Sequence, residues 1–291
     1  MKPFEYFEPR TVMEATELLS TYGGKARILA GGIDLIPRMR KGEIETECVV
    51  NIQKIPGLEH IETNEKGEIT FGAMARLRSI EASETIQNKY PILYEAIHQI
   101  TSVQAKFMGT AVGNLCVATP ASDIATSLFA FGAQLKITGA KGERIEPIEK
   151  FYVDYRLTSL KRGEMVTGVL LPNPSPGTGT AFLNLVRTHA DIAKISVAAA
   201  IVVRNGVCRE ARLAIGAAAP TVLRAVNAEA LLMGQRMTLQ IINKAAEIAA
   251  GETKPITDIR STAGYRREMA KVLVRRAVNK AVEKAVEMVK A

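Results

Sequence analysis

Two glycine-bearing segments constrain the fold and the chemistry of this chain more than any other feature. They are Ile28–Arg40 and Gly109–Asp123. Each starts in or near an apolar run that predicts a strand, passes through small residues, and reaches a stretch typical of a helix. Such a turn exposes backbone N–H groups and lets a phosphate come close. Because the loop in each segment ends in an acid, Asp34 or Asp123, the pair indicates a ligand with a pyrophosphate and a polyol or ribose.

The size and hydropathy of the chain favour a soluble protein of two domains. Its 291 residues are enough for a sizeable core, and 47% of them are hydrophobic. The longest apolar runs, such as Ile195–Val203, are far too short to span a bilayer. The first residues lead straight into mixed polar sequence without a signal-peptide core. We therefore expect a cytoplasmic protein that does not interact with a membrane.

Cysteine, histidine and charge argue against a metal site or nucleic-acid binding. The three cysteines, Cys48, Cys116 and Cys208, lie far apart and none is in a CxxC, and the three histidines are scattered. We expect three reduced, mostly buried thiols and no metal ligands. The net charge is +8, but much of the excess is interleaved with apolar residues in Arg260–Lys290, and there is no Trp. We interpret the charge as solvated helix faces and docking surface.

The N-terminal part predicts a βαβ-like unit with a parallel pair of strands. A helix over Thr11–Tyr22 would be capped by Thr11 and ended by Gly23. The unit that follows consists of a strand at Ala26–Ala30, a helix at Leu35–Lys41 and a strand at Cys48–Ile52. Further predicted elements are strands at Ile69–Gly72 and Gln134–Thr138 and helices at Ser79–Glu84, Pro91–Ile100 and Asp123–Phe131.

A different pattern begins after Leu171–Thr180, a stretch dense in Pro, Gly and small polar residues that reads as a linker. Asn205 and Gly206 between two apolar runs are a strong hairpin signal. The pattern predicts a three-stranded antiparallel sheet backed by three helices, which is an α+β arrangement. The strands are Ala181–Arg187, Ser196–Arg204 and Cys208–Gly216, and the helices are Val222–Met233, Leu239–Ala250 and Tyr265–Val289.

Taken together, these segments resemble the FAD-binding medium subunit of the molybdenum hydroxylases, the family of xanthine, carbon monoxide and nicotinate dehydrogenases. The usual first loop, AGGTDL, is here Ala30–Leu35 (AGGIDL). The usual second loop, GTxGGN followed by ASPxSD, is here Gly109–Asn114 (GTAVGN) and Ala118–Asp123 (ATPASD). Other matches run in family order to the end of the chain: Phe151–Leu160, Asp191–Lys194 and Tyr265–Arg267.

The resemblance implies an α+β fold with two domains. Residues 1–175 would form a two-subdomain FAD-binding domain of the PCMH type, with subdomains at about 1–55 and 56–175. Residues 176–291 would form a small α+β C-terminal domain with a three-stranded antiparallel sheet and helices. FAD would be bound by this chain, whereas [2Fe-2S] clusters and molybdopterin are expected only on partner chains. Those partners would be an iron–sulfur small subunit and a molybdopterin large subunit.

The resemblance also implies roles for individual residues, none of them catalytic. Backbone amides of Gly31–Asp34 and Thr110–Asn114 would hold the pyrophosphate, and Asp123 would accept hydrogen bonds from ribityl hydroxyls. The alternative for Asp123 is the N-cap of the following helix. Ile100, Met165 and Val166 would lie near the flavin ring, with ordinary core packing as the alternative. The implied cofactor-binding residues are Leu29, Ala30, Gly31, Gly32, Ile33, Asp34, Leu35, Ile100, Thr110, Ala111, Gly113, Asn114, Thr119, Ser122, Asp123, Met165 and Val166.

Three residues depart from the family pattern. Ile33 stands where a threonine or similar donor is usual, so one hydroxyl contact to phosphate is missing. Val112 replaces the first of two glycines, so the backbone there must have a negative φ or shift slightly. Leu183 stands where some relatives have a lysine near the flavin ring, so the redox potential could differ.

Three functions follow as hypotheses. The first is an electron-transfer subunit in which FAD passes electrons between an iron–sulfur partner and NAD(P) or another soluble carrier. The second is a free-standing FAD-dependent oxidoreductase, which needs a positioned base, and only the isolated His189 and Tyr155 are candidates. The third is a nucleotide-binding or scaffold protein without activity. The sequence does not rank the substrates of the complex.

Overall fold

The computed structural model describes residues 2–189 and 191–290, with the backbone alone at 289 and 290. It opens with a small parallel sheet in which β3 lies between β1 and β2 and runs parallel to both. The predicted parallel pair is therefore confirmed, and a short strand near the N-terminus extends it. The elements are β1 (Glu5–Phe7), α1 (Val12–Tyr22), β2 (Ala26–Leu29), α2 (Leu35–Arg40) and β3 (Cys48–Asn51).

The ends of α1 follow from local chemistry. Thr11 Oγ1 accepts a hydrogen bond from the Glu14 backbone N–H at 3.1 Å, and Glu14 Oε2 accepts from the Arg10 N–H at 2.7 Å. Two N–H groups at the helix start are thereby satisfied. Gly23 ends the helix with φ 55°, a conformation that glycine adopts without strain. The predicted helix and both of its end signals are confirmed.

The chain from β4 to β10 forms a five-stranded antiparallel sheet in the order β4-β5-β10-β6-β7, with helices packed beside it. The elements are β4 (Ile61–Thr63), β5 (Ile69–Gly72), α3 (Leu77–Ala82), α4 (Glu84–Lys89), α5 (Pro91–His98), α6 (Val103–Met108), α7 (Ala111–Cys116), α8 (Asp123–Phe131), β6 (Gln134–Gly139), β7 (Gly142–Pro147), α9 (Ile148–Phe151), β8 (Tyr152–Asp154), β9 (Leu157–Thr158) and β10 (Met165–Leu171).

Two predictions in this part are wrong. The helix expected at Ser79–Glu84 is two helices, because the Ser83 hydroxyl accepts from the Ile86 N–H and starts α4. The second glycine segment does not follow a strand: it follows α6, and most of its first half is α7. Thr110 starts that helix, because its hydroxyl accepts from the Gly113 N–H at 3.0 Å.

The C-terminal part is an antiparallel sheet in the order β11-β12-β13-β14. The three predicted strands are present, and the two-residue β14 adds a fourth, so the helix expected from Val222 begins at Val226 instead. Asn205 and Gly206 have φ values of 54° and 73°, which confirms the predicted hairpin turn. The elements are β11 (Thr178–Leu185), β12 (Ile195–Arg204), β13 (Val207–Gly216), β14 (Leu223–Arg224), α10 (Val226–Leu232), α11 (Leu239–Glu252) and α12 (Ala263–Lys290).

Both faces of β12 are buried, which explains its continuous apolar sequence. Alternate residues face opposite sides of a sheet. Ala198 and Ala200 belong to the core formed by the preceding part of the chain. Val197, Ala199 and Ile201 belong to a second core with the three C-terminal helices. The C-terminal sheet therefore packs directly on the N-terminal part, and the predicted linker narrows to the residues between Leu171 and Thr178.

Candidate functional site

One large cleft, of about 1610 Å³, runs between the N-terminal part and the segments that connect the strands and helices of the C-terminal part. Both glycine segments line it, together with residues that precede β10 and residues from the C-terminal part such as Ala217, Asp258 and Arg266. Of the predicted cofactor-binding residues, all line the cleft except Leu29, Ala111 and Asp123. The fold thus brings the two segments, far apart in sequence, to one site.

The first glycine segment contacts the second directly, backbone to backbone. Gly31 has a backbone conformation open to any residue, but a Cβ atom there would lie 2.0 Å from the Met108 carbonyl oxygen and 2.9 Å from Gly109 Cα. Gly32 has φ 71°, the left-handed region that favours glycine. The two adjacent glycines are therefore required for different reasons, one for space and one for backbone conformation.

The second segment is a compact set of side-chain hydrogen bonds. The Ser122 hydroxyl donates to Asn114 Oδ1 and accepts from the Ala125 N–H at 2.9 Å. Asn114 uses only its oxygen in this contact, so the contact leaves both amide N–H donors available. Thr110 likewise uses its oxygen as an acceptor and keeps its hydroxyl proton. Val112, the departure from glycine, lies within α7 and has a negative φ, as expected.

Asp123 is not the cap of the helix that it begins. Ser122 caps α8, so the alternative interpretation of Asp123 is wrong. Asp123 Oδ2 accepts from Asn184 Nδ2 at 3.0 Å, whereas Oδ1 is buried without a hydrogen-bond partner in the part of the chain that the structure describes. Burial raises the pKa of Asp123, and the hydrogen bond from Asn184 opposes this rise. An unpartnered buried carboxylate oxygen is costly and suits a hydroxyl donor.

The residues expected near the flavin ring lie in the wall of the cleft, and two of them are also core residues. Met165 is 0% exposed and Val166 is 3% exposed, and both pack in the N-terminal core. Ile100 is half-buried and packs against the same core. Leu183 packs against the C-terminal core instead and does not line the cleft.

Sequence reasoning missed Arg27, a half-buried cation in β2 that lines the cleft. Its Nη1 donates to the Gly24 and Ala26 carbonyls at 2.6 and 2.7 Å, and no carboxylate of the described residues lies within ion-pair distance. Burial, and then the nearby Arg38, lower the pKa of its guanidinium. The sequence signal that could have identified Arg27 is its position as a single cation in the otherwise apolar strand before the first glycine loop.

Arg266 holds together the wall of the cleft that the C-terminal part contributes. It is a second residue whose role the sequence did not specify. Arg266 is 5% exposed and donates to the Ala217 carbonyl at 3.0 Å and to Asp258 Oδ1 at 2.7 Å. Ala217 has φ 56°, a strained value for a residue with a Cβ, and its N–H donates to the Pro120 carbonyl at 2.6 Å. This chain of contacts connects α12 to the second glycine segment.

The two candidate bases, Tyr155 and His189, do not both lie in the cleft. Tyr155 lines the cleft, with the Arg156 guanidinium 5.5 Å from the ring centroid, but the exposed His189 does not line it. Within residues 2–189 and 191–290, no group of three or more His, Cys, Asp or Glu could hold a metal ion. Cys48 and Cys208 are buried as expected, whereas Cys116 is exposed in the cleft. Over the same residues, no helix is both long and apolar enough to cross a membrane.

Two sequence families match the chain in succession. The family described as the FAD binding domain in molybdopterin dehydrogenase matches residues 2–174. The family described as the CO dehydrogenase flavoprotein C-terminal domain matches residues 180–281.

Individual proteins are similar over nearly the whole chain. The carbon monoxide dehydrogenase medium chain of Afipia carboxidovorans is 32% identical over 97% of this chain and 98% of its own length. The xanthine dehydrogenase FAD-binding subunit of Escherichia coli O157:H7 is 27% identical over 96% of each chain. A chain in the solved structure of carbon monoxide dehydrogenase from Hydrogenophaga pseudoflava, in a form that lacks the Mo-pyranopterin moiety, is 32% identical. It superposes with a TM-score of 0.94 over 98% of this chain and 99% of that one.

Proposed function

We propose a function for this chain from one premise: it belongs to the family of FAD-binding domains in molybdopterin dehydrogenases. The chain is the flavin subunit of an oxidoreductase, as the family resemblance predicted. Our proposal is that it carries FAD in a multi-subunit molybdenum hydroxylase. There it moves electrons between an iron–sulfur partner subunit and NAD(P) or another soluble acceptor. Bound FAD supplies the redox chemistry, while the protein binds and orients it.

The observation that carries the proposal is the contact of the two glycine segments inside the cleft. Gly31 lets the first segment meet the second at Met108 and Gly109. In the second segment the Gly113 and Asn114 N–H groups already donate to Thr110, so we propose that its donors to phosphate include the side chains of Thr110 and Asn114. A pyrophosphate needs such a convergence of donors. Arg27 would add a positive charge at the same end of the cleft, where it has no acidic partner among the described residues.

The unpartnered Asp123 Oδ1 is a second, independent observation that fits a dinucleotide with a polyol chain. A buried carboxylate oxygen without a donor costs about 1–3 kcal/mol or more, which a ligand hydroxyl would recover. Asp123 does not line the cleft as it stands, so we propose that it reaches the ligand through a small local adjustment beside Ser122. The predicted cofactor-binding residues thus keep their assignment as a proposal.

The proposed partners follow from what the described residues lack. Within residues 2–189 and 191–290 no metal-binding cluster is formed, and Cys48, Cys116 and Cys208 are separate free thiols, so we propose that the iron–sulfur clusters and molybdopterin belong to other chains. We further propose a cytoplasmic location for the complex.

A test of this function is the composition of the native complex. We expect the chain to purify with an iron–sulfur subunit and a larger molybdopterin subunit, as shown by native mass spectrometry and metal analysis. The isolated chain should bind FAD yet fail to oxidise organic substrates at ordinary enzyme rates, about 1–1000 per second. A single purified chain that turned over an organic substrate at such rates would establish the free-standing oxidoreductase instead.

A further inference from the structure

Two side chains outside the cleft hold the backbone carbonyls at the junction of the glycine segments. Gln53 Nε2 donates to the Ala30 carbonyl at 2.6 Å, and Arg76 Nη1 donates to the Met108 carbonyl at 2.7 Å. Ala30 directly precedes Gly31, and the Met108 carbonyl is the group against which Gly31 packs. Each donor therefore holds one of the two segments, and both act at the point where the segments meet.

The position of Gln53 fixes the direction of a predicted phosphate donor. The Ala30–Gly31 peptide bond is trans, as are all peptide bonds described, so its C=O and N–H point in opposite directions. Gln53 holds the C=O from outside the cleft, which turns the Gly31 N–H away from Gln53. Gln53 is itself held by its backbone N–H, which donates to Asn51 Oδ1 at 3.1 Å at the end of β3.

Arg76 is held against the second segment by its own backbone. Arg76 and Thr110 form an isolated antiparallel bridge, and the Leu77 N–H donates to the Gly109 carbonyl at 3.0 Å. The Arg76 guanidinium adds a contact to the preceding residue of that segment, because it donates to the Met108 carbonyl. Arg76 thereby limits how far the second segment can move away from Gly31.

Both side chains lie beside the cleft. Gln53 and Arg76 do not line it; they line a separate hollow of about 280 Å³ beside Pro56 and Met74. We propose that Gln53 and Arg76 are positioning residues that clamp the two glycine segments at the spacing and amide orientation that a pyrophosphate requires. The inference rests on the proposed function, since it assumes that FAD binds between these segments.

The test compares ligand affinities of the full chain and its variants. Gln53→Glu keeps the size of the side chain but removes its donor, and Arg76→Ala removes the guanidinium. We expect each to weaken FAD binding by about 10-fold, from the loss of one hydrogen bond that orders the site. ADP, which carries a pyrophosphate, should lose affinity by the same factor, whereas riboflavin, which has no phosphate, should bind as before. Arg76→Lys, which keeps a positively charged N–H donor group, should restore most of the affinity.

A matched control separates positioning from general stability. Gln87 also donates to a backbone carbonyl, that of Glu81 at 2.9 Å, but away from the cleft, so Gln87→Glu should leave FAD and ADP affinity unchanged. Binding measured per folded molecule removes any effect of stability. If wild-type protein binds FAD and both variants bind it equally well, the clamp is refuted and the proposed function stands. If wild-type protein binds no FAD, the proposed function and the clamp are both refuted.

Discussion

Replacing Gly31 with alanine is expected to abolish FAD binding at ordinary ligand concentrations, with a loss of affinity of at least about 100-fold. The new Cβ would lie 2.0 Å from the Met108 carbonyl oxygen and 2.8 Å from its carbon. These are backbone atoms that cannot rotate away as a flexible side chain can. The two segments must therefore separate, and the pyrophosphate donors separate with them. The free energy of unfolding should fall by about 1–3 kcal/mol, the usual cost of overpacking.

The measurements are FAD titration and chemical denaturation of the purified variant. Gly24→Ala is a matched control, because Gly24 lies in the same cleft wall but a Cβ there meets nothing within 4 Å. It should keep wild-type affinity to within a few-fold. Equal FAD affinity of the Gly31 and Gly24 variants would show that the contact between the segments does not shape the binding site.

Asp123→Ala is expected to weaken FAD binding by about 1–3 kcal/mol, or about 5- to 150-fold, the range for losing hydrogen bonds to a charged, desolvated group. In the ligand-free protein Oδ1 is buried and has no partner among the described residues, so the carboxylate is destabilising until a donor arrives. Asp154→Ala is a suitable control, because Asp154 is an acid in the cleft wall whose side chain is exposed at the end of β8, unlike the buried Asp123. Similar FAD affinities of the two variants would show that Asp123 does not contribute to FAD binding.

The pH dependence of stability tests the same carboxylate in the ligand-free protein. The pKa of Asp123 in the fold lies above its ordinary value of 3.8, mainly because the group is buried. Its protonated form therefore favours the fold: this contribution is fully present below pH 3.8 and is lost as the pH rises through the raised pKa. Asp123→Asn cannot titrate, so its free energy of unfolding should fall less than that of the wild type over this window. If the free energies of unfolding of the two proteins changed with pH in parallel, burial of the Asp123 carboxylate would be contradicted.

Local signals predicted those parts of the fold that neighbouring residues determine. The start of α1 is set by Thr11 and Glu14, and the turn between β12 and β13 is set by Asn205 and Gly206. The helix predicted at Asp123–Phe131 has its observed bounds, which the structure attributes to the Ser122 cap and to Gly132 in the left-handed region. Each of these signals acts within a few residues.

The missed features depend on contacts between residues far apart in sequence. The second glycine segment was expected to follow a strand, but it follows the short helix α6, and the Thr110 hydroxyl starts α7 within it while Thr110 pairs with Arg76. The two-residue β14 exists only because it pairs with β13. The state of Asp123 depends on Asn184, 61 positions away, which uses one carboxylate oxygen and leaves the other without a donor. No pattern in the sequence reveals such an arrangement.

The most direct test of the central claim is a titration of the purified, ligand-free chain with FAD, followed by flavin absorbance and protein quantification. We predict saturation at one FAD per chain, with bound FAD displaced by ADP and lost in the Gly31→Ala variant. Absence of FAD binding, or FAD binding that Gly31→Ala leaves intact, would contradict the assignment of this cleft as the flavin site.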